Sequence, residues 1–256
     1  MRLPTPRNMS YFIWVLLALL ALGQPAAKAP GIAASEVLGA HAQADDQSLR
    51  GKVYVAIGDS ISAGRYATTP GQVFPSLVAQ HLGMTLQLVA RSGARAAWAL
   101  PQLAIVDQAH PALVTIELGT NDVGFNTPLD QFSAQYETIV NAVSLPGTRV
   151  LCIGSWLPSE AIDARIADIC RRHGGTFISL SGFYAVDAFH ASDGGVSYLG
   201  RADWFHPGDE GHAAIAAAVE SGLQSPPSPS AEAPQVRQPE PPAAPDGPSV
   251  FRITPR

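Results

Sequence analysis

Between residues 51 and 223 the chain alternates two rhythms of apolar residues. Short unbroken apolar runs close on a glycine or a polar cluster, and longer stretches repeat their apolar positions every three or four residues. Residues 52–57 (KVYVAI) are the first run; ending at Gly58, they predict a buried strand. After Pro70 and Gly71, residues 73–81 carry apolar side chains at helical spacing. Further strands are predicted at 86–90, 112–118, 150–153 and 176–180, and helices at 95–109, 129–143 and 161–172. Within 129–143, Phe132, Tyr136, Ile139, Val140 and Val143 fall on one stripe. A last helix opens after Pro207 and runs to about residue 223, with Asp209 and Glu210 at the end where backbone N–H groups favour negative charge. Strands and helices in this alternation predict an α/β fold, a three-layer α/β/α sandwich around a parallel five-stranded sheet. Ligands of such sheets bind outside the carboxyl ends of the strands, so the loops after the first three strands are where chemistry is expected.

The rhythm fails at both ends. Arg2 and Arg7 precede an apolar run at 11–23, which is followed by small residues and a proline. That order predicts an export signal over residues 1–29. The run is shorter than the ~20 residues that span a bilayer. No charge falls between Arg7 and Lys28, however, so a retained membrane anchor through residues 11–23 stays open. Either outcome predicts an exported protein, secreted, periplasmic or held at the cell surface. Residues 30–50 read as a spacer, rich in alanine and small polar residues. Residues 224–256 hold ten of the chain's 22 prolines, which predicts a disordered tail.

Composition narrows the classes further. With 46% hydrophobic and 14% charged residues, the chain is neither disordered nor a coiled coil. A formal net charge of −5 and 16 basic residues, with no basic stripe, exclude nucleic acid as a partner. Cys152 falls in the fourth predicted strand and Cys170 in the helix after it. Two cysteines are too few for a structural zinc site; they pair in an oxidising compartment or remain as buried thiols, and both readings stay open.

Each candidate loop holds a small, sharply turning polar motif. The first strand ends in Gly58-Asp59-Ser60, the second in Arg91-Ser92-Gly93, and the third in Gly119-Thr120-Asn121-Asp122. Asp203-Trp204-Phe205-His206-Pro207 stands just before the last helix. Four such motifs in this order resemble the SGNH hydrolase family, the GDSL-type esterases and lipases, and the similarity covers residues 53–223. Two positions depart from the family pattern near Gly93: Arg91 stands where asparagine is frequent, and Ala96 where glycine is.

The resemblance implies a flavodoxin-like sheet, a serine esterase, and a catalytic domain spanning residues 51–223. Ser60 is then the nucleophile, His206 its base, and Asp203 the group that orients the imidazole. The N–H groups of Ser60 and Gly93 and the amide of Asn121 form the oxyanion hole. The substrate is a small-molecule or glycan ester, the protein a monomer, and neither metal nor organic cofactor is required. Two other activities on the same fold stay open: O-acyl transfer and carbohydrate O-deacetylation. A non-catalytic binding module is the third alternative. Asp203-x-x-His206 and Asp209-x-x-His212 have the residue types of a metal site, but His206 precedes the helix and His212 lies within it, sharing a stripe with Ile215, Ala216 and Val219. His212 is therefore expected to pack, and Asp59 and Asp122 to brace loops.

Overall fold

The structure is a computed structural model that describes residues 48–224; the predicted export segment and the bodies of the spacer and the tail lie outside the described residues. Strands β1 (Val53–Gly58), β2 (Thr85–Ala90), β3 (Leu113–Glu117), β4 (Arg149–Ile153) and β5 (Thr176–Ile178) form one sheet in the order β2-β1-β3-β4-β5. Every pairing in it is parallel. The helices are α1 (Phe74–Leu82), α2 (Ala96–Ala99), α3 (Leu103–Ala109), α4 (Thr120–Gly124), α5 (Leu129–Val143), α6 (Glu160–Arg172) and α7 (Asp209–Gln224).

Side chains alternate across a strand, so each buried strand feeds two cores. Tyr54, Ala56, Leu151 and Ile153 face α1 and α7, packing with Phe74, Val78, Ile215 and Val219. Val55, Ile57, Val114, Ile116 and Cys152 face the other way, onto the stripe of α5 and onto Ile162, Ile166 and Ile169 of α6. Helix α6 begins where the Ser159 hydroxyl accepts the Ile162 N–H at 3.4 Å. Glu160 and Asp163 in its first turn and Arg171 and Arg172 in its last complement the helix dipole. The chain leaves β1 for β2 on one side and then crosses to β3 on the other. The crevice of the fold therefore opens between the carboxyl ends of β1 and β3.

Three details differ from the sequence expectation. The predicted helix 95–109 is broken: α2 stops at Ala99, Leu100–Gln102 tightens into a 3-10 turn, and α3 resumes at Leu103. Pro101 causes the break, since it lacks an N–H and its ring crowds the carbonyl four residues earlier. Strand β5 ends at Ile178, two residues short of the expected 180. Residues 181–202 hold a small antiparallel hairpin, β6 (Val196–Ser197) and β7 (Gly200–Arg201), which no periodicity foretold.

The cysteine question is answered here. Cys152 on β4 and Cys170 on α6 form a disulfide, which ties the helix to the sheet across 18 residues of chain. Closing a loop of that size stabilises a fold by about 3 kcal/mol in the chain-entropy account. Replacing both cysteines with alanine is expected to lower the thermal midpoint by roughly 5–10 °C. Turnover at 25 °C should be retained, because the bond lies away from the loops after β1, β2 and β3. An unchanged midpoint would show that the bond contributes nothing in solution.

Candidate active site

The carboxyl end of β1 turns sharply into the loop that carries Ser60. At Gly58 a side chain is impossible, because a Cβ there would lie 1.9 Å from Ser62 Oγ. The turn leaves Ser60 6% exposed, at the crevice. The loop before α7 is brought against it by several long-range contacts. Tyr66 donates its backbone N–H to Pro207 O at 3.4 Å, and Trp156 Nε1 donates to Phe205 O at 2.7 Å. Within α7, His212 accepts the Phe74 N–H on Nδ1 at 3.4 Å and stacks on the Phe74 ring. Fully buried, His212 has its pKa pushed down to about 4 by desolvation, and it packs, as its stripe implied.

This docking brings His206 to Ser60. Nε2 of His206 lies 3.0 Å from Ser60 Oγ, and Nδ1 lies 2.7 Å from Asp203 Oδ1. A carboxylate only accepts, so Nδ1 carries the hydrogen and Nε2 is left to accept the serine hydroxyl. The Asp203 carboxylate accepts a second bond, from the His206 backbone N–H at 3.2 Å, although its side chain is 47% exposed. Tyr66 and Phe205 set their rings edge-on to the imidazole, at centroid distances of 5.2 and 5.1 Å.

The same crevice receives Gly93 and Asn121. Gly93 has φ of +76° with open space around it, so the backbone after β2 presents itself without a side chain. Among the described residues, neither the Ser60 nor the Gly93 backbone N–H has a protein acceptor. Asn121, at the start of α4, gives its amide hydrogens to Asp59 Oδ2 at 2.8 Å and to Ala94 O at 3.1 Å. Asp122 braces the loop after β2 by accepting the Ala96 N–H at 3.0 Å.

Several contributors were not anticipated from the sequence. Glu117 ends β3 fully buried; its Oε2 accepts Ser62 Oγ–H at 2.8 Å and the N–H groups of Ser62 and Asp59. A lone acid inside the apolar run 112–118 was the available signal. Asp59 accepts Ile61 N–H at 2.9 Å on one oxygen and Asn121 on the other. Burial pushes the Asp59 carboxyl up to about 6. Glu117 is raised well above the usual carboxylate range, first by burial and then by the Asp59 charge. Donors face both oxygens of Asp59, whereas Glu117 Oε1 has no partner. Asp59 is therefore the more acidic of the pair, and Glu117 is the one that holds a proton to higher pH. His190 is the other surprise: both ring nitrogens lie 2.7 Å from carbonyl oxygens, those of Trp204 and Tyr184. These contacts tie the backbone between Asp203 and His206 to the segment before the hairpin. Among the described residues, no group of three His, Cys, Asp or Glu could hold a metal ion.

Comparison with known proteins agrees with this architecture. The profile of the GDSL-like Lipase/Acylhydrolase family matches residues 56–214. No curated protein matches the sequence. The crystal structure of TesA is 25% identical, with a TM-score of 0.53 over 67% of this chain and 98% of that one. An extracellular lipase from Streptomyces rimosus is 22% identical, with a TM-score of 0.53 over 67% of this chain and 100% of its own. The psychrotrophic esterase EstA from Pseudoalteromonas sp., solved inhibited by monoethylphosphonate, is 19% identical, with a TM-score of 0.53 over 68% and 97%.

The buried carboxyls give the protein a measurable pH signature. Burial and the Asp59 charge make Glu117 hold its proton to higher pH in the fold than in the unfolded chain, where it ionises near 4.5, so unfolding releases a proton above that pH. Stability consequently falls as pH rises from about 4.5, and a glutamine at this position abolishes that loss. The melting advantage of Glu117→Gln over the parent is expected to widen between pH 4 and pH 8. Parallel melting curves would mean that Glu117 titrates as in the unfolded chain.

Proposed function

The chain belongs to the GDSL-like lipase/acylhydrolase family, a family of serine hydrolases, and from that membership we propose an ester hydrolysis in which Ser60, His206 and Asp203 act as nucleophile, base and orienting acid. One observation carries the reading: His206 stands within hydrogen-bond reach of Ser60 Oγ on Nε2, at 3.0 Å, and of Asp203 Oδ1 on Nδ1, at 2.7 Å. A serine hydroxyl is a weak nucleophile at neutral pH. As its oxygen attacks the ester carbonyl, its proton passes to His206 Nε2, and the imidazolium is stabilised by Asp203. The carbonyl oxygen gains negative charge and takes hydrogen bonds from the Ser60 and Gly93 N–H groups. Asn121 supplies a third by sharing the hydrogen it gives Ala94, the longer of its two bonds. His206 returns the proton to the departing alcohol. Water then attacks the acyl-serine by the same path and frees the acid.

The non-catalytic reading is disfavoured by this arrangement, since a binding module has no use for an imidazole held between a serine and a carboxylate. Export is proposed alongside the chemistry, and the Cys152–Cys170 disulfide supports it, because such bonds persist in oxidising compartments. Among the described residues, no helix is long and apolar enough to cross a membrane.

A serine-reactive phosphonate tests the assignment directly. It is expected to inactivate the enzyme and add its mass to the peptide containing Ser60, in proportion to lost activity. Inactivation with the label on another residue would remove Ser60 from the nucleophile's place.

A further inference from the structure

We propose that the cleft beside Gly93 is an anion-binding subsite, so that the preferred esters carry a carboxylate or similar oxyanion close to the scissile bond; this rests on the ester-hydrolase reading above. A cleft of about 530 Å³ is lined by Arg91, Gly93, Arg95, Ala97, Trp98 and Phe125. It shares Gly93 with the groups assigned to the oxyanion. Gly93 lines it, Ala94 O accepts the Asn121 amide at 3.1 Å, and Phe125 N–H donates to Asn121 O at 2.9 Å. A substituent on an ester held at Ser60 therefore has this cleft beside it.

The lining chemistry selects the substituent. The Arg91 guanidinium lies 5.1 Å from the centre of the Trp98 ring, and that of Arg95 lies 5.6 Å from the Phe125 ring. A ring beneath a planar cation restricts its motion and leaves the N–H edge available for an oxyanion. Both arginines are exposed, and among the described residues neither forms an ion pair. Asp122, which feels the charge of Arg95, is buried and bonded to the Ala96 N–H, so it does not occupy the cleft. Phe125 stands 66% exposed at the rim, an apolar surface that a bound substrate would cover. The protein as a whole carries a net charge of −5, which repels anions. Two arginines flanking Gly93 reverse that locally, and Arg91 is one of the departures from the family pattern at this loop. Hydrogen bonds from a cation to an oxyanion are the stronger kind, so each arginine is expected to change affinity by about tenfold.

The test compares matched esters that differ in one charge. Monoethyl succinate against diethyl succinate places a carboxylate on the acyl side; 4-acetoxybenzoate against its methyl ester places it on the alcohol side. The parent enzyme is expected to prefer the charged member of at least one pair by about tenfold or more in kcat/KM. That preference should shrink to about one in Arg91→Gln/Arg95→Gln and weaken in about 1 M salt. No preference in either pair, or one that survives the double substitution, overturns the subsite. Calorimetric binding of the same esters to Ser60→Ala separates this from the hydrolase reading. Tighter binding of a charged ester, lost with the arginines, upholds the subsite even if no ester is turned over. Equal binding of charged and neutral esters overturns it.

Discussion

A single contact between Ser60 and His206 joins residues 146 positions apart, and the rest of the site is arranged to make it. Neither partner sits on a regular element. Ser60 follows the buried end of β1, where Gly58 allows the chain to fold back on itself. His206 is delivered by a loop whose own backbone is bonded to Trp156, to His190 and to the Tyr66 segment. Those braces come from the loops after β1 and β4 and from His190 ahead of the hairpin. The packing of α7 on α1, with His212 against Phe74, sets the position of the whole last loop. The packing of α7 thus bears on the distance between His206 and Ser60.

Beneath Ser60 the protein tolerates an expensive arrangement. Two carboxyls, Asp59 and Glu117, are buried within one hydrogen-bonded cluster. Burial raises both, and the Asp59 charge raises Glu117 further, which opposes two like charges side by side in the interior. Asp59 in turn holds the Asn121 amide and the Ile61 N–H, so the loops after β1 and β3 share one anchor. Rigid polar groups of this kind raise the cost of folding while removing reorganisation from the reaction.

Much of this was legible in the sequence, for definite reasons. The stripe Phe132, Tyr136, Ile139, Val140 and Val143 is long and strictly periodic, and it lies buried with the bounds expected. Ser60, Asp203 and His206 were named through the resemblance of four short motifs to the family, three of them at predicted strand ends and one before the last helix. What escaped depends on contacts between distant segments. Glu117 reads as one polar residue in an apolar strand, and its meaning comes from Ser62 and Asp59 folding over it. Trp156 and His190 brace the last loop by bonds to backbone atoms, which leave no pattern in composition. The hairpin at 196–201 is too short to carry a period. At Pro101 a signal was present, but the surrounding apolar spacing outweighed it.

The central claim is that His206, held by Asp203, is the base for Ser60, while His212 serves the packing of α7. Turnover and thermal midpoint measured on His206→Ala and His212→Ala test it most directly. The account predicts that His206→Ala lowers kcat by several orders of magnitude with little change in midpoint, and that His212→Ala lowers the midpoint by several degrees with a much smaller loss of rate. The opposite ranking, with the greater rate loss at His212, would contradict it.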